Sequence, residues 1–295
     1  MKKSFIGVSW ETKREPACGA FTLIESLVVI AIIGILAALL FPAFSKGKGK
    51  AQGVYCLNNG KQMIAALRMY ADDFADWLPP NPEDGHSTNL WVRGDMWEPS
   101  EATNTILLTD SKYAKLAPYS GRSAGIYKCP ADKSMTTIDG IKYPRVRTFS
   151  MSQAVGTKAA PPLAAIDGPW LDGNHHNQAN NPWRTYGRFA DMVVPSPSAL
   201  WVFIDEEERS INDGAFGVSM VLPTRFIDWP ATYHNFGCGI AYADGHSETH
   251  KWTDRRTQLT GPYGPHFYVL PKNQDNNADV VWLQQRTSAR SSGVQ

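Results

Sequence analysis

The chain has 295 residues, and its 29 Lys and Arg against 28 Asp and Glu leave a formal net charge of +1. So even a balance excludes a basic nucleic-acid surface and an acidic tail. Ten Trp, eleven Tyr and twelve Phe can fill a core, while 20 Pro and 24 Gly point to a loop-rich body of one large domain or two small ones. Residues 1–20 are mostly polar, with Lys2, Lys3, Lys13 and Arg14 against Glu11 and Glu15.

From Phe21 to Phe44 the chain is apolar, and between Leu27 and Phe41 no side chain is polar. At about 1.5 Å per residue this stretch makes roughly 36 Å of helix, enough to cross a hydrocarbon core of about 30 Å. A secretory signal would have an apolar run of about 7–15 residues ending in an A-x-A-like site, so a membrane helix is the stronger reading. Lys46, Lys48 and Lys50 crowd the far end, so the charge count does not fix orientation. Glu25 sits inside the run. An ionisable group there costs roughly 2.5–3.5 kcal/mol at the bilayer centre and less near the interface. Glu25 either reaches the headgroups or has work to do.

The helix is expected to continue over residues 45–78, loosened around Gly47, Gly49 and Gly53. Leu57, Ile64, Leu67, Ala71 and Phe74 form an amphipathic stripe that would pack on a sheet, and Pro79-Pro80 stop it. Residues 79–295 then form a globular head. Ile126 to Pro130 reads as an extended segment ending in a turn. Arg145 to Met151 alternates like a strand, and residues 157–185 look like a surface excursion. Ala199 to Ile204 suits a buried strand, followed by the acidic run Asp205 to Glu208, which reads as a solvated loop. Ala215 to Leu222 is a further strand. Gly239 to Ala243, the turn Asp244-Gly245, and His246 to Trp252 read as a hairpin. One long helix followed by antiparallel strands is an α+β pattern.

The string Ala20-Phe21-Thr22-Leu23-Ile24-Glu25, the apolar run behind it and Pro42 resemble the N-terminus of type IV pilins and type II secretion pseudopilins. That resemblance implies removal of the leader 1–20 by prepilin peptidase on the cytoplasmic side, with cleavage between Ala20 and Phe21 and methylation of Phe21. The family prefers Gly before the cut, and Gly19 lies one place upstream. Cutting after Gly19 would shift Glu25 from the fifth mature position, so Ala20/Phe21 is the expected site. Glu25 would then pair with the N-terminal amine of a neighbouring subunit, and Pro42 would kink or loosen the helix. The interval from His234 to Asp244-Gly245, nine residues between His and Asp, resembles a C-terminal signature of pilin-like proteins.

Of the four Cys, Cys18 falls in the leader and Cys238 stands alone. Large pilin-like proteins often carry a Cys near an Asn-Asn pair of the helix and another in a Cys-Pro loop. Cys56 and Cys129 match these positions, which implies a disulfide worth roughly 4 kcal/mol in the chain-entropy model. The alternative is two buried free thiols.

No P-loop, H-E-x-x-H or Cys-x-x-Cys is present, and no enzymatic activity is expected. No cofactor is expected either. His234, Asp244, His246, His250 and Asp205 to Glu208 are of metal-ligating types. The most feasible pairing is Asp205 with Asp244 across adjacent strand ends, where oxygen ligands favour calcium. Turn chemistry explains these residues without a metal.

The sequence therefore predicts a pilin-like α+β fold, with a long N-terminal helix half in the membrane and packed on an antiparallel sheet with long loops. The expected role is a filament subunit of a pilus or secretion pseudopilus, single-pass in a bacterial inner membrane with its head outside the cytoplasm. Its partners would be prepilin peptidase, membrane lipid and copies of itself or other pseudopilins. The alternative is a non-polymerising anchored binding protein for a polysaccharide or other surface ligand.

Overall fold

The computed structural model describes residues 22–81, 89–158, 163–173, 182–222, 224–259 and 274–291. The leader and the expected cut between Ala20 and Phe21 lie outside them. The chain divides into two units, 1–47 and 48–295. Helix α1 (Leu23–Asp73) supplies the described part of the first and opens the second.

In the first unit the apolar side chains point outward all round the helix, with Leu39 71% and Phe41 72% exposed. A helix apolar on every side needs an apolar surrounding, and this one is long and apolar enough to cross a membrane. Its N-terminus is a capping box. Thr22 Oγ1 accepts the Glu25 amide at 3.3 Å, and Glu25 Oε2 accepts the Thr22 amide at 2.8 Å. The Thr22 hydroxyl also donates to Oε2 at 2.7 Å. The helix continues as expected, and α1 runs through Pro42, Gly47, Gly49 and Gly53. One missing backbone donor at Pro42 is bridged by the turns on either side.

In the second unit a five-stranded sheet has the order β5-β3-β4-β6-β7. Its strands are β3 (Phe149–Ser152), β4 (Trp201–Asp205), β5 (Ala215–Phe216), β6 (Gly237–Tyr242) and β7 (Ser247–Lys251). A separate hairpin, β1 (Met135–Ile138) with β2 (Ile141–Pro144), stands apart from it. Neighbours in the main sheet are antiparallel except at one edge, where β5 runs parallel to β3. The chain leaves β4 beside the start of β3, crosses over residues 206–214, and re-enters on the far side of β3 in the same direction. The expected strand 215–222 shrinks to this two-residue edge. Ile126 and Tyr127 belong to a 3-10 turn, Ala124–Tyr127, rather than to the extended segment expected there.

Side chains alternate across the sheet. Phe203, Ala241 and Ala243 face one core with Met151, Phe149 and Cys56, Met63, Ile64, Leu67, Tyr70 and Ala71 of α1. Ile204, Cys238, Ile240 and Tyr242 face a second core closed by Trp229, Trp252 and helix α4 (Ala278–Gln284). Of the expected stripe, Ile64, Leu67 and Ala71 are buried in this core and Leu57 is half-buried, and only its last residue departs. Phe74 is 45% exposed, whereas Cys56, Asn59 and Met63 are buried. At Gly60 the helix approaches so closely that a Cβ would lie 2.9 Å from Ser247 Oγ and 3.1 Å from Ala241 Cβ. Helix α1 ends at Asp73, ahead of the prolines, as the chain turns through Ala75 and Asp76 with positive φ. Trp91, Trp201 and Trp252 are core residues.

Candidate functional site

The sheet face under α1 holds a polar cluster inside the hydrophobic core. Period-2 alternation turns Asp205, the last residue of β4, toward the helix, where it is fully buried. Cys56 of α1 donates its thiol to Asp205 Oδ2 at 2.8 Å. Cys129 Sγ lies 3.2 Å from His234 Nε2, and that nitrogen is 4.0 Å from Asp205 Oδ2. The four ligand atoms, two sulfurs, one imidazole nitrogen and one carboxylate oxygen, all lie within 4.8 Å of one another.

The expected bridge between Cys56 and Cys129 is not formed. The structure brings the two together as buried free thiols, each turned to a different partner, Asp205 for one and His234 for the other. Cys238 is also free, but alternation places it on the opposite face of β6. The contact with Cys129 and then burial push the Cys56 thiol up. Cys129 is raised as well, the opposing contact with Cys56 being outweighed by burial and Asp205 together, and burial raises Cys238. Burial also pushes the Asp205 carboxyl up to about 6, against hydrogen bonds from Cys56, Thr148 and the Gly239 amide.

Surrounding groups hold the cluster in place. Thr148 Oγ1 donates to Asp205 Oδ1 at 2.8 Å and accepts the Cys129 amide at 2.8 Å, so one hydroxyl orients both. The loop carrying Cys129 is clamped to α1 on either side of Cys56. Gln52 Nε2 donates to the Pro130 carbonyl at 2.7 Å, and Asn59 Nδ2 to those of Lys128 and Gly125 at 3.0 and 3.2 Å. His234 sits on a tight turn in which Asn235 and Phe236 adopt left-handed φ of 53° and 62°. Gly239 opens the space. The register Ile204↔Ile240 sets it opposite Asp205, and a Cβ there would lie 2.6 Å from Cys56 Sγ and 3.1 Å from Asp205 Oδ2. Sequence reasoning missed Thr148, Asn59 and Gly239, since the roles of the first two depend on contacts far along the chain. For Gly239 a signal was present: glycine inside a strand marks a close approach.

The other candidates go elsewhere. Asp244 and Gly245 make the β6–β7 turn, where Oδ1 of the exposed Asp244 contacts His246 Nδ1 at 2.6 Å. Asp244 thus lies in the hairpin turn, outside the cluster of Cys56, Cys129, Asp205 and His234. His250 stacks on Trp282 with ring centroids 3.6 Å apart. The acidic run is buried rather than solvated. Glu206 accepts from Ser150 and Ser210 at 2.5 and 2.7 Å, and Glu207 accepts from Arg209 at 2.7 Å. Gly121-Arg122-Ser123-Ala124-Gly125 spells the G-x-S-x-G pattern of a hydrolase nucleophile. It forms no elbow, because Ser123 is extended and exposed and follows a turn instead of a strand.

At the other end of the chain, the family model for the prokaryotic N-terminal methylation motif matches residues 16–41. Fimbrial protein of Neisseria meningitidis serogroup B is 31% identical over 87 residues, 30% of this chain and 51% of that protein. Fimbrial protein of serogroup A is 26% identical over 156 residues, 48% of this chain and 90% of that one. Over these stretches the chain is similar to type IV pilins. A third relative, type IV major pilin protein PilE of Neisseria gonorrhoeae, is 29% identical over 87 residues, 30% of this chain and 52% of its own length. The chain thus spans about half the length of two of these relatives and most of the third. No solved structure matches. The α+β architecture, with one long N-terminal helix and a sheet behind it, agrees with the family.

Proposed function

We propose that the chain is a structural subunit, not an enzyme, of a type IV pilus-like or type II secretion pseudopilus filament. The observation that carries this reading is the outward-facing apolar helix beginning at the capping box of Thr22 and Glu25, within the segment matched as a methylation motif. On this reading prepilin peptidase cuts between Ala20 and Phe21 and Phe21 is methylated. The helix waits in the inner membrane with its head outside the cytoplasm, and copies pack helix to helix.

Glu25 then has two separable roles. Its carboxylate caps the helix of its own chain, and in a filament it neutralises the amine of a neighbour, which spares each charge a lone place in lipid. Glu25→Gln separates them, because Gln serves a capping box as Glu does but carries no charge. Both Glu25→Gln and Glu25→Ala are expected to insert in the membrane and to yield no filaments by electron microscopy of cells lacking the wild-type gene. Normal filaments from Glu25→Gln would refute charge pairing and leave capping as the role. Filaments that persist unchanged when the gene is deleted outright would favour the anchored binding protein, whose ligand would meet the cleft of about 290 Å³ lined by Trp97, Trp170, Arg225 and Asp228.

A further inference from the structure

We infer that Cys56, Cys129, His234 and Asp205 form a four-ligand zinc site that staples the head. Soft thiolates with one imidazole and one carboxylate are a donor set suited to zinc and poorly suited to calcium or magnesium. A tetrahedral zinc with bonds of about 2.0–2.3 Å sets its ligand atoms roughly 3.3–3.8 Å apart. The distances of 2.8, 3.2 and 4.0 Å and the outer limit of 4.8 Å bracket that spacing, so side-chain adjustments of less than about 1 Å close the site.

Three further observations point to a cation. Asp205 is a fully buried carboxylate whose sole basic neighbour within 4.0 Å, among the described residues, is His234. Buried charges are ordinarily paired or bound to metal. Thr148, which donates to the non-ligating oxygen of Asp205 and accepts the Cys129 amide, is the outer hydrogen-bonding layer that metal ligands carry. Gly239 keeps clear the space between Cys56 and Asp205 that any larger residue would fill.

Binding converts both thiols to thiolates and releases their two protons to solvent, while His234 coordinates through neutral Nε2. The four ligands come from α1, the loop after the 3-10 turn, the end of β4 and the turn before β6. One ion therefore ties together four segments that a disulfide would join only in pairs. It also holds the two sulfurs in a form that resists pairing in an oxidising compartment.

The test uses the full chain recovered from membranes in mild detergent, without chelator or reductant. Zinc per chain is measured by mass spectrometry, and thiols are counted by alkylation after denaturation. About one zinc per chain is expected, with Cys56 and Cys129 both alkylated. His234→Ala and Cys129→Ser are expected to lose more than nine-tenths of the metal, and Cys238→Ser to keep it. Cobalt substituted into the unaltered chain should give the intense absorption of tetrahedral, thiolate-ligated cobalt, a readout that needs no variant to fold. A Cys56–Cys129 disulfide without metal would overturn the inference. So would a chain with free thiols that takes up neither added zinc nor cobalt, or zinc retained in both ligand variants.

Discussion

Gly239→Ala is the sharpest probe of how tightly α1 is seated on the sheet. The added methyl would sit 2.6 Å from Cys56 Sγ and 3.1 Å from Asp205 Oδ2, about 1 Å inside the ordinary contact distance of roughly 3.5–4.0 Å. Neither neighbour has room to yield. Rotating Cys56 breaks its 2.8 Å bond to Asp205, and Asp205 is held by Thr148 at 2.8 Å. Moving α1 strains the bonds of Gln52 and Asn59 to the loop 125–130. Overpacking of this kind costs about 1–3 kcal/mol, while Ala in place of Gly inside a strand returns about 0.5–1 kcal/mol. The net loss, about 1–2 kcal/mol, lowers Tm by roughly 2–8 °C for a body of this size. Thermal unfolding of the full chain in detergent, followed by near-UV circular dichroism, reads it directly. Gly49→Ala is the control: nothing lies within 4 Å of its Cβ in α1, so it should gain about 1 kcal/mol of helix propensity. A Gly239→Ala chain that melts at or above the wild-type temperature would refute the close approach.

Two more substitutions test the polar interior. Arg147 is fully buried, donating to the carbonyls of Phe149 at 3.0 Å and Gly94 at 2.9 Å with the buried Glu206 among its charged neighbours. Arg147→Met leaves those acceptors and that carboxylate without their cation and should cost about 3–5 kcal/mol in denaturant unfolding; a loss below about 1 kcal/mol would mean that the pairing contributes little. Asp279 of α4 accepts from the Thr253 amide and hydroxyl at 3.0 and 2.8 Å and from the Asp254 amide at 2.9 Å. Asp279→Ala should cost about 2–3 kcal/mol and speed hydrogen exchange over residues 252–254 selectively, whereas unchanged exchange there would count against the anchoring role.

The parts of the fold legible in the sequence are those set locally. The apolar run of α1 and the Asp244-Gly245 turn between β6 and β7 carry their own signals, periodicity in one and turn chemistry in the other. The acidic run misled, because charge reads as solvent exposure, and of the groups that accompany Glu206 into the core Ser150 and Arg147 lie far along the chain while only Ser210 is near. The meeting of Cys56 with Cys129 was legible through a family pattern. Their chemistry was not, since Asp205 reaches Cys56 across 149 positions and His234 reaches Cys129 across 105, both through the pairing of the sheet. Capping at Thr22 and Glu25 was plainly spelled, as Thr-x-x-Glu ahead of an apolar run, and was overshadowed by the membrane setting.

The interval between His234 and Asp244 gains a meaning as a length gauge. Strand β6 fills most of it, with the turn of His234 at one end and the hairpin turn at the other. A single inserted or deleted residue between them would reverse the strand, presenting to α1 the face that carries Cys238 and Ile240 and turning the space kept by Gly239 toward the second core. Epitope tags and circular-permutation points placed in this head belong outside residues 234–245, and two-residue changes should be better tolerated there than one-residue changes. The count of nine is thus a parity constraint, enforced by the pleat of one strand.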